Sequence, residues 1–208
     1  MTERKADQKQ ERFEVKVVPV PFALEEIKEN IFISSNTPSK FSKEEIINQA
    51  IQFHLKGNIK EASKLYQYFI NQGFNDHRIF SNYGVILQGL GKLEQAQKWL
   101  LKAIEIKPDF AQAHSNLGKL LQDLGNLKEA ELSQRKAIEI KPDFAQAHSN
   151  LGNLLQDLGN LKEAELSQRK AIEIKPDFAQ AHYNLGNLLK ELGNLKEAEL
   201  SYHKAIEI

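Results

Sequence analysis

The sequence predicts an all-α fold, a solenoid of stacked helix–turn–helix units, and three observations carry that prediction. The phrase "AHSNLG" at 113–118 returns at 147–152 and again as "AHYNLG" at 181–186, each copy 34 residues after the last. Around it, residues 111–144 and 145–178 are the same 34 letters except that Lys119 becomes Asn153. Within each of these two units, apolar residues at helical spacing are interrupted by one turn glycine and closed by one proline. A repeat of this length is one supersecondary unit, which cannot bury its apolar face until a neighbour stacks on it.

Taken in order, residues 1–42 form an N-terminal arm. Its charged start, "MTERKADQKQER" (1–12), reads as disordered. Residues 13–21 read as extended, with alternating valines and two prolines, and "FALEEIKENIFI" (22–33) as a short helix. "SSNTPSK" (34–40) is a loop, and Ser42 with Glu45 forms a capping box that opens the array. The array covers 43–208 as five units: 43–76, 77–110, 111–144, 145–178 and 179–208, the last stopping four residues short. The front two are looser copies.

In 111–144 the first helix (A) is expected from about Ala111 to Leu124, with Asp109 as N-cap and Gln112 as its capping-box partner. Gly125 suits the left-handed residue that ends a helix. Asn126 should cap the second helix (B), with Glu129 three residues on, and that helix should run to about Ile140, before Pro142 stops it. Leu117, Leu120, Leu121 and Leu124 make the apolar face of helix A. Gly118 and Ala130 remove side-chain volume where A and B cross.

Composition narrows the function. Lys plus Arg is 28 and Asp plus Glu is 28, so the chain lacks the basic excess of a nucleic-acid binder. It has no cysteine, which excludes disulfides and thiolate chemistry and suits a reducing compartment. The start lacks the apolar core of a secretory signal, and "VVPVPFAL" (17–24) is too short and too proline-rich to span a bilayer. The expectation is a cytoplasmic protein with no membrane partner.

The spacing of small residues resembles the tetratricopeptide repeat, or TPR. The positions are Gly118, Gly125, Ala130, Ala137 and Pro142, then Gly152, Gly159, Ala164, Ala171 and Pro176. They occur earlier as Gly84, Gly91, Ala96, Ala103 and Pro108, and later as Gly186, Gly193, Ala198 and Ala205. The resemblance implies a right-handed superhelix whose A helices line a concave surface. Departures are His114, His148 and His182 where the family often has Trp, and Gln134 and Gln168 where helix B usually buries an aromatic. Ala50 and Phe69 replace small residues in the first unit, which is expected to be irregular.

On helix A of the fourth unit, Gln146, Asn150, Asn153 and Asp157 are spaced by 4, 3 and 4 and share a face apart from the leucines. The neighbours place Gln112, Asn116, Lys119 and Asp123, then Gln180, Asn184, Asn187 and Glu191, on that face. Stacking then aligns Asn82, Asn116, Asn150 and Asn184 into a ladder with rungs about 8–10 Å apart. A carboxamide can pair with a peptide N–H and C=O together, so such a ladder suits an extended polypeptide read through its backbone. The array also resembles the TPR region of O-linked N-acetylglucosamine transferases, in which an asparagine ladder holds extended protein substrate. The expected peptide-binding set is those four asparagines with Asn153, Asn187, Lys119 and Lys190. The competing reading is that each Asn bonds to the neighbouring helix. A basic clamp for chaperone tails is disfavoured, since Gln180 and Asn184 stand where it wants cations.

No catalytic residue, metal or cofactor is expected. His114, His148 and His182 recur along one column about 10 Å apart, too far to converge on an ion. The glycines stand singly at turns instead of forming a phosphate loop, and Trp99 reads as packing against a neighbouring repeat. The incomplete last unit is expected to expose Leu185, Leu188, Leu192 or parts of its helix B. Three functions follow: a protein-interaction module, the substrate-binding region of a glycosyltransferase or other enzyme whose catalytic domain is not in this chain, or a self-associating protein.

Overall fold

The computed structural model describes residues 42–208. The expectations for residues 1–41 fall outside them. Ten helices occupy the described residues: α1 (Lys43–Leu55), α2 (Ile59–Asn71), α3 (His77–Gly89), α4 (Leu93–Ile106), α5 (Ala111–Asp123), α6 (Leu127–Ile140), α7 (Ala145–Asp157), α8 (Leu161–Ile174), α9 (Ala179–Glu191) and α10 (Leu195–Glu207). The chain divides after Gln72 into two compact units.

The first unit holds the antiparallel pair α1 and α2. Ser42 accepts from the Glu45 amide, and the Glu45 carboxylate accepts from the Ser42 amide at 2.6 Å, so the capping box forms as expected. These contacts with the Ser42 backbone N–H and hydroxyl hold the Glu45 carboxyl below its ordinary pKa. The pair buries Ile46, Ile47, Ala50, Ala62, Tyr66 and Phe69. His54 is buried among them, its Nδ1 sharing a hydrogen bond with the Tyr66 hydroxyl at 3.2 Å.

The second unit is an all-α solenoid of four helix pairs. Each A helix (α3, α5, α7, α9) packs on its own B helix (α4, α6, α8, α10), and each later A helix also packs on the preceding B helix. Successive A helices touch one another, whereas successive B helices do not. The A side is therefore the inside of the curve.

The close approach of A to B depends on missing side chains. A Cβ on Gly118 would lie 2.7 Å from Gln134 Nε2 and 3.0 Å from the Ala130 carbonyl. Helix ends are turned by Gly91, Gly125, Gly159 and Gly193, all at φ between 72° and 79°. The expected caps differ in detail. Phe110, Phe144 and Phe178 occupy the N-cap positions with no side-chain bond, because "KPDF" makes a turn of its own, closed by the Phe110 amide on the Lys107 carbonyl. Asp109 lies in that turn and Gln112 serves elsewhere. Asn126 does occupy the cap of α6, but its side chain makes no capping bond.

One further expectation is corrected, and another holds in its helix B alternative. Trp99 packs within its own helix pair, its ring 5.0 Å from Phe80 and 6.1 Å from Tyr83. Leu185 and Leu188 are buried, and the exposed apolar residues of the last pair include Leu195, Leu200 and Ile206 on α10. No helix among the described residues is long and apolar enough to cross a membrane.

Candidate functional site

The inner side of the second unit is the A-helix face, and two series of amides run along it. In the first, Asn116 Nδ2 donates to Ser81 Oγ at 3.1 Å, Asn150 to Ser115 at 3.1 Å, and Asn184 to Ser149 at 3.3 Å. Each asparagine thus reaches the A helix before it. Each also accepts from the glutamine one turn earlier: Gln112 to Asn116, Gln146 to Asn150 and Gln180 to Asn184, at 2.8–2.9 Å. Gln112 and its equivalents work here, orienting the carboxamides, in place of the capping role.

The serine ends of these bonds continue inward. Ser115 Oγ donates to Gln134 Oε1 at 3.0 Å, and Gln134 Nε2 returns a bond to the Ser115 carbonyl at 2.9 Å. Ser149 and Gln168 repeat the arrangement, and Gln168 also donates to Asn153 Oδ1 at 2.7 Å. One relay therefore runs from Gln146 through Asn150 and Ser115 to Gln134, joining two A helices and a B helix. Both glutamines are buried, and each buried polar side chain among the described residues is satisfied.

The second series lies toward the C-terminal ends of the A helices. Gln88 donates to Asp123 at 2.6 Å, Gln122 to Asp157 at 2.5 Å, and Gln156 to Glu191 at 2.6 Å. Nothing in spacing alone identified Ser81, Ser115 and Ser149 as acceptors or these three glutamines as donors. A signal did exist in the repeats. Serine on helix A accompanies glutamine on helix B twice, and where B carries Tyr202, A carries Tyr183.

The asparagines of the expected peptide-binding set fall into four situations. Asn116 and Asn150 are half-buried, and each keeps one N–H and one oxygen lone pair unused. Asn184 is buried at 7 % exposure. Asn153 and Asn187 accept from Gln168 and from the Tyr202 hydroxyl, leaving their NH₂ groups free. Asn82 is half-buried without a hydrogen-bond partner among the described residues. Lys119 is exposed on the A face, and Lys190 lies at the edge of a groove between α9 and α10.

The histidine column is accounted for by the loops. A carbonyl can only accept, so Nε2 of His114, His148 and His182 carries the hydrogen donated to Pro108, Pro142 and Pro176, at 2.9 Å each. No group of three or more potential ligands that could hold a metal occurs among the described residues.

Among known proteins, a family model described as "TPR repeat" matches residues 84–125, 123–159 and 157–193, and a second, "Tetratricopeptide repeat", matches 179–208. No curated protein matches the sequence. Of solved structures, the chain is similar to a crystal structure of MamA at 23 % identity and TM-score 0.62, covering 76 % of this chain and 92 % of that one. It is similar to MamA 41-end from Desulfovibrio magneticus RS-1 at 21 % identity and TM-score 0.64, covering 79 % and 93 %. It is also similar to TTC0263, a thermophilic TPR protein in Thermus thermophilus, at 20 % identity and TM-score 0.70, covering 80 % and 91 %. At these identities the likeness is one of fold. With the family models spanning more than half of the chain, and the glycines, alanines and loop prolines in the places described, this protein belongs to the tetratricopeptide repeat family, whose stacked helix pairs serve as scaffolds for protein–protein contact.

Proposed function

We propose that the A-helix face of this scaffold binds an extended protein segment through its backbone, without enzymatic activity of its own. The observation that carries the reading is the unused valence of the inner amides. Asn116 and Asn150 each retain one donor and one acceptor, which is the complement a peptide bond presents. Asn82, Asn153 and Asn187 add further donors along the same helices, and exposed Lys119 supplies a cation. Their partners within the fold hold the carboxamides in place before a ligand arrives, which lowers the ordering cost of binding. The series recognises main chain, so selectivity for side chains is low. A cytoplasmic setting belongs to the same proposal, since a chain without cysteine suits a reducing compartment.

The test selects binders from a library of unstructured 12-residue peptides and measures their affinity for defined variants. Asn150→Ala removes both the ligand contact and the bond to Ser115, so it is paired with Ser115→Ala, which removes that bond and the one from Ser115 to Gln134 but spares the ligand contact. If each contact nets about 1 kcal/mol, Asn150→Ala should weaken selected peptides about five-fold, with Ser115→Ala well under that. Equal losses in the two variants, with helicity retained, would assign Asn150 to the fold alone. Loss on charging the outer residue Leu166 would place the binding surface on the B side.

A further inference from the structure

The duplicate units 111–144 and 145–178 part at one position, Lys119 against Asn153, and that position lies on the A-helix face. In the fourth unit, Asn153 Oδ1 accepts from Gln168 Nε2 at 2.7 Å and so joins the inner amide network. An ammonium has donors only. Lys119 therefore cannot accept from the equivalent Gln134, whose Nε2 keeps only the bond to the Ser115 carbonyl among the described residues. The lysine gives up an internal hydrogen bond and gains none in return. It is exposed and makes no hydrogen bond or ion pair among the described residues. Packing does not account for it.

The charges around it are few. At the same place on the other A helices of the second unit stand Val85, Asn153 and Asn187, all neutral. Arg78 is paired with Asp76 at 3.0 Å. The carboxylates Asp123, Asp157 and Glu191 form a row farther along the helices, each held by a glutamine of the preceding A helix. By helical rise, Lys119 stands about 4.5 Å beyond Asn116 along the axis of α5, and Asp123 about 10.5 Å beyond it. The ammonium is thus the charge nearest the asparagine track. Lysine four residues before an acid is also the weaker order for a helical ion pair.

We propose that Lys119 selects an extended segment carrying an acidic side chain, and fixes its register, by pairing with an Asp or Glu of the ligand beside the residue that Asn116 bonds. This rests on the reading of the A-helix face as a main-chain binding surface. Rungs about 8–10 Å apart match about three residues of extended chain, at about 3.3 Å each. A ladder of amides alone lets such a chain slip from rung to rung with little change in energy. One cation lifts that degeneracy, because a single register brings the acid to Lys119.

The experiment uses the intact chain and the tightest uncharged peptide from the 12-residue library. A single Glu, and in parallel a single Gln, is walked through its positions. Fluorescence anisotropy at low salt gives the Glu-to-Gln affinity ratio at each. For the wild type the ratio should peak at about three-fold around one position, the size of an exposed ion pair, and decline towards one at about 0.5 M salt. Lys119→Asn, which makes the third unit a copy of the fourth, should flatten the scan. Adding Asn153→Lys to it moves the cation by one rung, and the peak should return about three residues along. A flat scan in the wild type, a peak that survives Lys119→Asn, or one that does not follow the cation would overturn the proposal. Sensitivity of the same peptides to Asn150→Ala would then leave the main-chain reading standing. No binder in the library at all would overturn both.

Discussion

Gln134 and Gln168 occupy positions where an apolar side chain would pack without further requirement, yet both are buried and fully bonded. Gln168→Ala should cost about 2–3 kcal/mol in urea unfolding, since it opens a cavity and leaves the Ser149 hydroxyl hydrogen and Asn153 Oδ1 without their partner. Gln168→Tyr alone should not recover this, because Tyr202 sits opposite Tyr183, not serine. His54 makes a second prediction. Burial pushes its imidazole down to about 4, while in the unfolded chain it titrates near 6.5. A depressed folded value means the unfolded state takes the proton first. The contribution of His54 is therefore intact above about pH 6.5 and is lost as pH falls toward about 4, up to about 3 kcal/mol. Hydrogen exchange of α1 amides at pH 7 and pH 4.5 checks it, and His54→Leu should flatten the dependence. Neither role was legible at the level of one residue. Polarity at a core position can be seen in a sequence, but the partner that satisfies it lies 12–19 positions away, on another helix.

At the scale of the element, most of the structure was legible. The turn glycines and loop prolines bound each helix to within a residue or two, because their backbone requirements are local: Gly125 sits at φ 77°. Gly125→Ala should therefore cost about 1 kcal/mol. The misread caps mark the limit. Asp109 satisfies the sequence pattern of an N-cap, but Pro108 and the Phe110 amide bond fold "KPDF" into a turn that moves the helix start past it. His148 belongs to the same connection, and His148→Ala should lose about 1 kcal/mol with the bond to Pro142. Gly152→Ala should be worse, at about 1–3 kcal/mol, because its Cβ would meet three atoms of Gln168 at 2.7–2.9 Å and break the network just described. A thermal melt of the three variants orders them.

The second unit as a whole has two unlike flanks. Inside, the amide series ties A helix to A helix. Outside, Arg135 bridges Glu131 and Glu163, and Arg169 bridges Glu165 and Glu197, the longer-range bonds spanning from one B helix to the next at 2.6 and 2.9 Å. The outer residues are half-exposed, so their contribution is small. Raising salt to about 1 M should shift the melting temperature by no more than about 3 °C. A larger fall would show that the outer bridges carry stability. The solenoid was readable from period alone, and the face that lines its inside from the resemblance to the tetratricopeptide repeat. The use of that face was less so, because an asparagine at helical spacing looks the same whether it points at a guest or at Ser115. Only the stacking distance between helices separates the two, and that is a property of the assembled repeats.

The difference between the flanks also has a mechanical meaning. Along the inside, neighbouring helices are in contact and joined by short amide bonds. Along the outside, only flexible arginines bridge a gap between helices that do not touch. Such a body resists shear, since sliding one pair past the next breaks every rung at once, yet it bends easily about the inner line as the arginines change rotamer. Under tension on its ends it should lengthen as a spring does, opening its curvature before any helix unravels.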